Sequence, residues 1–482
     1  MNVSKGTKLI ETIKSILIVV LFLFTILLLT LFWGSKPFQT LIGDEIQAAE
    51  AMALHETFQP DRIEVCFGGD SYTVIREGFS VMADCFRTFS ANKNLSIEEI
   101  AAERYAEVME QPSIKAVFDY YVPFSTICEI YGIDRIAGAD SVDALSEFGY
   151  SSIYDDRMYI FDKKTYKYFR VVGDSNNCFK ALVSQIAAAE SGSATYVTLA
   201  YIGGEIDNRT LCPISSFESD IYDVPYYQED HPEQADRASS AVRGFFSDNF
   251  DFVRRIEEES GTVIYMYGYG RIVVIARSDG TLEFKMEDDE RPAVQLKYLE
   301  AFERANAFIA VHGAFETKNG VPLVPYIKEV ILNPDDKKGF RFIFGASING
   351  SRIYYQAGAP VIVDVTGGKV TYYKRDMINV DAVELKSADD GAREVFSAIN
   401  IVANNLEYIR SVLAKRRAID NEGISFEALA EQIECFDYGY LRPDNNEGIL
   451  EASWIVTISG IEFYFGLDDG YPRGYSSFRL RI

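Results

Sequence analysis

The three histidines at 55, 231 and 312 are the side chains of this sequence best suited to proton transfer near neutral pH. None has a histidine or cysteine two to four residues away, and no H-E-x-x-H run occurs, so a zinc-hydrolase arrangement has no local support. His312 falls at the end of a helical pattern, where the helix dipole would favour its charged form. The six cysteines (66, 85, 128, 178, 212 and 435) form no C-x-x-C pair. Scattered, buried, free thiols are the reading; disulfides are the alternative in an exported chain. Acidic clusters at 287–290, 335–336, 444–447 and 468–469 could serve a glycosidase or Ca²⁺, but each sits beside Gly, Pro or Asn, as turns do. There is no G-x-S-x-G and no phosphate-binding loop, and Gly268-Tyr269-Gly270 lacks a third glycine. No catalytic, cofactor-binding or metal-ligating residue is assigned, and no enzymatic activity or cofactor is expected.

The chain that would position such groups has 482 residues, enough for two to four domains with real cores. With 33 phenylalanines and 30 tyrosines it favours sheet. A net charge of −25 argues against a nucleic-acid partner, which needs clustered Lys and Arg.

Residues 15–33, SILIVVLFLFTILLLTLFW, carry no charge. At about 1.5 Å per residue such a run spans roughly 28 Å, the thickness of a bilayer's hydrocarbon layer. Lys5, Lys8 and Lys14 precede it, opposed only by Glu11, and Trp33 ends it. The expectation is a retained transmembrane helix, N-terminus in the cytoplasm and the remainder outside. A cleaved signal peptide is the rival, but the run is too long and no small-x-small site follows it closely. Leu21, Thr25, Leu28, Thr30 and Phe32 are the candidate partner-contact residues. The two threonines could hydrogen-bond a neighbouring helix, or their own backbone.

Beyond this run the expected fold class is α+β: about three extracytoplasmic domains of antiparallel sheets with packed helices. The expected divisions are a cytoplasmic tail 1–14, the anchor 15–33, and domains 34–235, 236–385 and 386–482. An acidic, proline-containing linker is expected at 213–235. Residues 58–75 read as strand, Gly-Gly turn, strand, and 76–90 as helix. LSIEEIAAERYAEVMEQ reads as a helix with a capping box from Ser96 to Glu99. Residues 113–123 read as a strand followed by a short helix, and strands are expected at DRMYIFD, TYKYFRVV and 195–202. Helices are expected at 179–188, 241–259, 291–313 with Pro292 in its first turn, and 389–405. Three strands are expected within 262–285 and five within 324–374. The best defined of these is the hairpin GAPVIVDVTGGKVTYYKR, turning at Gly367-Gly368. The last two blocks share an order of helix then strands, a loose duplication.

Several stretches taken in order resemble the YycH family, membrane-anchored accessory proteins of the WalK/WalR cell-wall two-component system of Gram-positive bacteria. They are the anchor after IETIKSILIVV, QPDRIEVCFGGDSYTV, SIKAVFDYYVPFSTI, FFSDNFDFVRRIEEESGTVIYMYGYGRIVVIARSDGTLEF and the quoted hairpin. SWIVTISGIEFYF is similar to the sister YycI proteins. The resemblance implies one anchor in the lipid bilayer, three exterior α+β domains, no enzymatic activity, and association with a WalK-like sensor kinase and a YycI-like protein through transmembrane helices. It supplies no active site. The alternative is an anchored exterior module that binds wall fragments or ions.

Overall fold

In the computed structural model the segment 58–75 forms β1 (Arg62–Gly68) and β2 (Ser71–Ile75), paired antiparallel around Gly68 and Gly69, both at positive φ. Strand alternation sends Ile63 and Val65 into a core and leaves Arg62 and Glu64 on the other face. The structure describes residues 57–476 apart from 174–194, 215–220, 224–239, 288–295, 316–322, 377–383, 388–396, 418–424, 443–448 and shorter breaks. The run 15–33 with Leu21, Thr25, Leu28, Thr30 and Phe32 lies outside the described residues, as do His55, Cys178, His231, Pro292 and the helix expected at 179–188. No described helix is long and apolar enough to cross a membrane. Residues 52–482 form one compact unit.

The first sheet continues through α1 (Phe79–Ser90), β3 (Ser96–Ile100), α2 (Ala102–Met109), β4 (Ser113–Val117), α3 (Phe124–Ile130), β5 (Leu145–Ser151), β6 (Arg157–Asp162) and β7 (Lys167–Val172). It ends in β8 (Tyr196–Thr198), α4 (Leu199–Gly203) and β9 (Leu211–Pro213). Its order is β3-β7-β6-β5-β4-β1-β2-β8-β9, antiparallel throughout. The apolar sides of α1 and α3 pack on one face, where Phe79 stands edge-on to Phe118, Tyr131 and Phe148. α2 covers one end of the other face with Tyr105, Val108 and Met109.

Two readings here are corrected. The capping box does not form: Ser96–Ile100 is strand, and the helix starts after Ala101 without a side-chain cap. Cross-strand charge pairing outweighs local helix preference, because Glu98 meets Arg170 at 2.7 Å and Glu99 meets Lys167 at 2.8 Å on β7. Only 196–198 of the strand expected at 195–202 is extended, and the rest turns into α4.

The second sheet begins with β10 (Ile221–Asp223), inside the expected linker, which pairs with two strands of the chain's far end. The helix expected at 241–259 stops at 246. A 3-10 turn (Ser247–Phe252) and β11 (Arg254–Glu257) follow, and β11 pairs with β12 (Val263–Tyr267). β13 (Ile272–Ala276) and β14 (Thr281–Met286) complete the expected three-strand run. α5 (Tyr298–His312) is described from Lys297, its N-cap, onward; the expected start at 291–295 lies outside the described residues. Next come β15 (Leu323–Leu332), β16 (Gly339–Ile348), β17 (Ser351–Tyr355), β18 (Val361–Thr366) and β19 (Lys369–Asp376), all near their expected positions. Gly367 and Gly368 turn the last hairpin at φ 59° and 82°, which suits paired glycines.

The remaining elements are β20 (Glu384–Ser387), α6 (Ala398–Asn404), α7 (Leu406–Arg417), α8 (Phe426–Ala430), β21 (Ile433–Arg442), β22 (Ile449–Ile458), β23 (Ile461–Gly466) and β24 (Pro472–Ser476). The sheet's main path is β11-β12-β13-β14-β19-β18-β16-β17-β21-β22-β10-β20, with β15 beside β16 and β23-β24 beside β22. β17 and β21 run parallel. The expected α+β class with antiparallel-rich sheets is what the described residues show.

α5 buries Tyr298, Ala301, Phe302, Ala305 and Ile309, spaced as one helical face, against β16, β18 and β19. It also joins the first sheet to the second. The Phe58 ring lies 4.2 Å from Phe302, and the Tyr298 hydroxyl donates to the Tyr121 carbonyl at 3.0 Å. A separate core gathers α6, α7 and α8 on β21–β23 around Trp454. Asn208 ties it to the first sheet's end by donating to the carbonyls of Ala430 and Ile433, each at 2.8 Å.

Candidate functional site

The second face of the first sheet carries charge where most strands carry hydrocarbon. On β1, β4 and β5 alternation turns Ile63, Ala116 and Phe148 to the core and Glu64, Lys115 and Glu147 outward. Lys115 stands opposite Glu64 in the register and lies 3.0 Å from Glu64 and 3.2 Å from Glu147. Arg62 spans Glu64 and Asp119, both at 2.7 Å. Burial pushes Glu64 up, but Lys115 and Arg62 outweigh it and hold the carboxyl at about 2.

Facing this surface are β15, β17, β21, β22 and β23 of the second sheet, and between them lies a cavity of about 400 Å³. A neighbouring cavity of about 330 Å³, under α2, shares Glu64, Lys115 and Glu147 with it. Two ion pairs cross the gap in opposite senses. Arg76, just past β2, reaches Asp437 on β21, and Arg352 on β17 reaches back to Asp61. Asp61 also accepts from the Asp119 amide at 2.6 Å. Asp437 accepts from the Tyr354 hydroxyl and, at 2.8 Å, from the Tyr438 amide.

The two carboxyls respond differently to the same low-dielectric setting. Burial pushes both up. At Asp437 it is outweighed by Arg76 and Arg352, so this carboxyl sits below its usual range. At Asp61 burial wins over Arg352, and the carboxyl sits above its usual range. Burial also pushes the Cys435 thiol, on the same wall, up to about 12, which keeps it protonated and unreactive.

Glycines shape the wall. Gly345 leaves space for the Tyr326 ring, over which the Arg352 guanidinium sits at 4.4 Å. Gly439 lets β21 approach the Arg352 carbonyl on parallel β17.

The geometry sets each cavity carboxylate just described against a cation from the same or the opposite wall. Such pairs add little net stability over apolar packing, yet losing one member leaves a costly orphan charge. They therefore fix how the two sheets meet.

That architecture has a solved counterpart. YycH from Bacillus subtilis superimposes over 85% of this chain and 96% of its own, with a TM-score of 0.53 and 10% identity. The chain shares the YycH fold. The resemblance read from sequence is thus borne out at the level of fold. Two further solved structures align more loosely. An uncharacterized protein from Eubacterium rectale has a TM-score of 0.30, covering 56% of this chain and 88% of its own at 10% identity. The Bacillus megaterium YpeB C-terminal domain has a TM-score of 0.27, covering 51% and 97% at 12% identity. No family profile matches the sequence, and no curated protein matches it.

The residues singled out from sequence are not the ones at this site. The five candidate partner contacts at 21–32 lie outside the described residues. His312 does end α5, but it stacks on Phe245 at 4.0 Å, and burial together with Arg375 lowers it to about 3. Desolvation thus overrides the dipole, and the ring is neutral at physiological pH. The five described cysteines form no disulfide with one another, and four of them are buried. Asp469 bonds the Tyr471 amide at 2.9 Å and Arg473 at 2.8 Å, the turn role expected. Among the described residues no group of three His, Cys, Asp or Glu is placed to hold a metal ion. Asp61, Arg76, Arg352 and Asp437 were missed. Their one sequence signal is a lone charge within or beside a strand-like run, as in YTVIR, SRIYY and CFDYG.

Proposed function

We propose that this chain is a non-catalytic, membrane-anchored regulator that acts by contact on a WalK-like sensor kinase, together with a YycI-like protein. The observation that carries this reading is the likeness to YycH across 85% of the chain. The apolar run 15–33 supports it as the anchor, with the sheet-rich body outside the cell membrane. On a helix, Leu21, Thr25, Leu28 and Phe32 fall on one stripe, and Thr30 offers a hydroxyl on the opposite side. Such a stripe biases a kinase between two helix packings by the difference in its contact energy with each, and about 1.4 kcal/mol of difference shifts the ratio tenfold.

The test replaces residues 15–33 with a polyleucine span of equal length and measures kinase autophosphorylation in vesicles holding both proteins. The reading expects the kinase response to this chain to disappear while the chain stays membrane-bound. An unchanged response would show that the span contributes no specificity. The second reading, an exterior ligand-binding module, is favoured by one observation, the polar cavity between the sheets.

A further inference from the structure

Glu329, a carboxylate of the cavity wall, makes no ion pair with a described residue. Glu329 lies on β15, whose register slips against β16: Ile327 stands opposite Phe344 and Glu329 opposite Ile343, with Lys328 as the extra residue. Without that bulge, alternation would send Glu329 to the core side with Ile327, which is fully buried. The bulge turns it instead to the cavity, next to Lys328. Lys328 is committed to Glu462 at 3.4 Å, and Glu462 also accepts from the Tyr464 hydroxyl at 2.8 Å. Glu329 has no hydrogen bond or ion pair with any described side chain. The charged groups facing it are Lys328, Glu462 and, more remotely, Arg341. Burial pushes its carboxyl above the usual range, Lys328 does not offset this, and Glu462 adds to it.

We infer that this cavity binds a small organic molecule bearing a primary ammonium, with Glu329 as its counter-ion. The volume of about 400 Å³ is at the small end of ligand sites, which run from roughly 300 to 1,000 Å³. An ammonium suits the corner better than a metal ion. Its single charge matches the one carboxylate left over once Lys328 has neutralised Glu462, and its three N–H groups can be shared among carboxylate and hydroxyl acceptors. Tyr326 supplies an aromatic wall. Burial favours the protonated carboxyl and a bound ammonium favours the carboxylate, so ammonium uptake and proton release are linked. A diamine, a lysine-type side chain and an amino sugar all offer this chemistry.

The test is calorimetric titration of the full chain with 1,5-diaminopentane and, as a neutral counterpart, 1,5-pentanediol. The inference expects saturable binding of the diamine and none of the diol. Glu329→Gln should bind about tenfold more weakly with its melting temperature retained. Repeating the titration across acidic pH in buffers of different ionisation heat should show more proton release in the natural chain than in Glu329→Gln. L-lysine and glucosamine, titrated in parallel, distinguish the sources of the amine. No saturable diamine binding up to about 20 mM, equal binding of the diol, or undiminished binding by Glu329→Gln would each overturn the inference. Should Glu329→Gln fail to fold, the natural chain's preference for the diamine over the diol decides. No kinase is present in the assay, so the regulatory reading stands or falls separately.

Discussion

The two ion pairs across the sheet junction make a prediction whose sign depends on how many charges are removed. Arg76→Met deletes a guanidinium and leaves Asp437 buried, its carboxylate 8% exposed, with the Tyr354 hydroxyl, the Tyr438 amide and Arg352 as remaining help. Removing one member of such a pair costs about 3–5 kcal/mol; the 19% exposure of Arg76 admits some water and puts the expectation near 3. Asp437→Leu strands Arg76 instead, at a similar cost. The double variant strands neither charge. It removes the acceptor of the Tyr354 hydroxyl and of the Tyr438 amide, worth about 1 kcal/mol each, and should be only about 2 kcal/mol less stable than the natural chain. Denaturant unfolding followed by tryptophan fluorescence reads this region, because Trp454 lies edge-on to Tyr438 at 6.4 Å, next in sequence to Asp437. The other tryptophan is Trp33, outside the described residues, so Trp33→Phe isolates the signal. A double variant as unstable as the sum of the two singles would refute the reasoning, since the charges would then act independently.

Two further outcomes follow. His312 is held neutral by burial, at about 3, against about 6.5 in an unfolded chain. The unfolded chain therefore binds more protons between those values, and stability falls as pH drops through that window. His312→Gln should flatten that fall when melting temperature is recorded from pH 7 to pH 4. Gly439→Ala places a methyl against the Arg352 carbonyl of the parallel neighbour strand. A backbone atom cannot swing aside, so a loss of about 2 kcal/mol is expected, whereas Gly460→Ala, with open space at its β-carbon but positive φ, should cost about 1.

Where local chemistry decides conformation, the sequence was legible. The hairpins at Gly68-Gly69 and Gly367-Gly368 stand where paired glycines put them, and the apolar stripe of α5 from Tyr298 to Ile309 was visible as a period. It failed where a distant partner decides. Glu98 and Glu99 look like the start of a helix until Arg170 and Lys167 are placed across from them. Ile221–Asp223 looks like part of a linker because its pairing partners begin at Glu384 and Ile449. The candidate site belongs wholly to this second kind. Asp61 and Arg352, or Arg76 and Asp437, are hundreds of residues apart, and nothing near either member shows that it has a partner.

The same feature bears on what the molecule is for. Were the junction selected for stability alone, apolar side chains would serve as well or better than Arg352–Asp61 and Arg76–Asp437, since burying four charges gives back much of what their attraction provides. Nearby the chain does use the apolar solution, at Phe58 against Phe302, where the first sheet meets α5. The charged half of the junction therefore differs from the aromatic half in how it fails. An aromatic contact weakens gradually with distance, whereas a crossed pair of buried salt bridges loses its balance once one charge is withdrawn or a new one arrives. A cavity beside it with an uncompensated carboxylate is a place where a new charge can arrive. If the chain acts by contact on a partner, this is the part of the body whose arrangement a small ligand could alter, and the aromatic half is the part that would hold still while it did so.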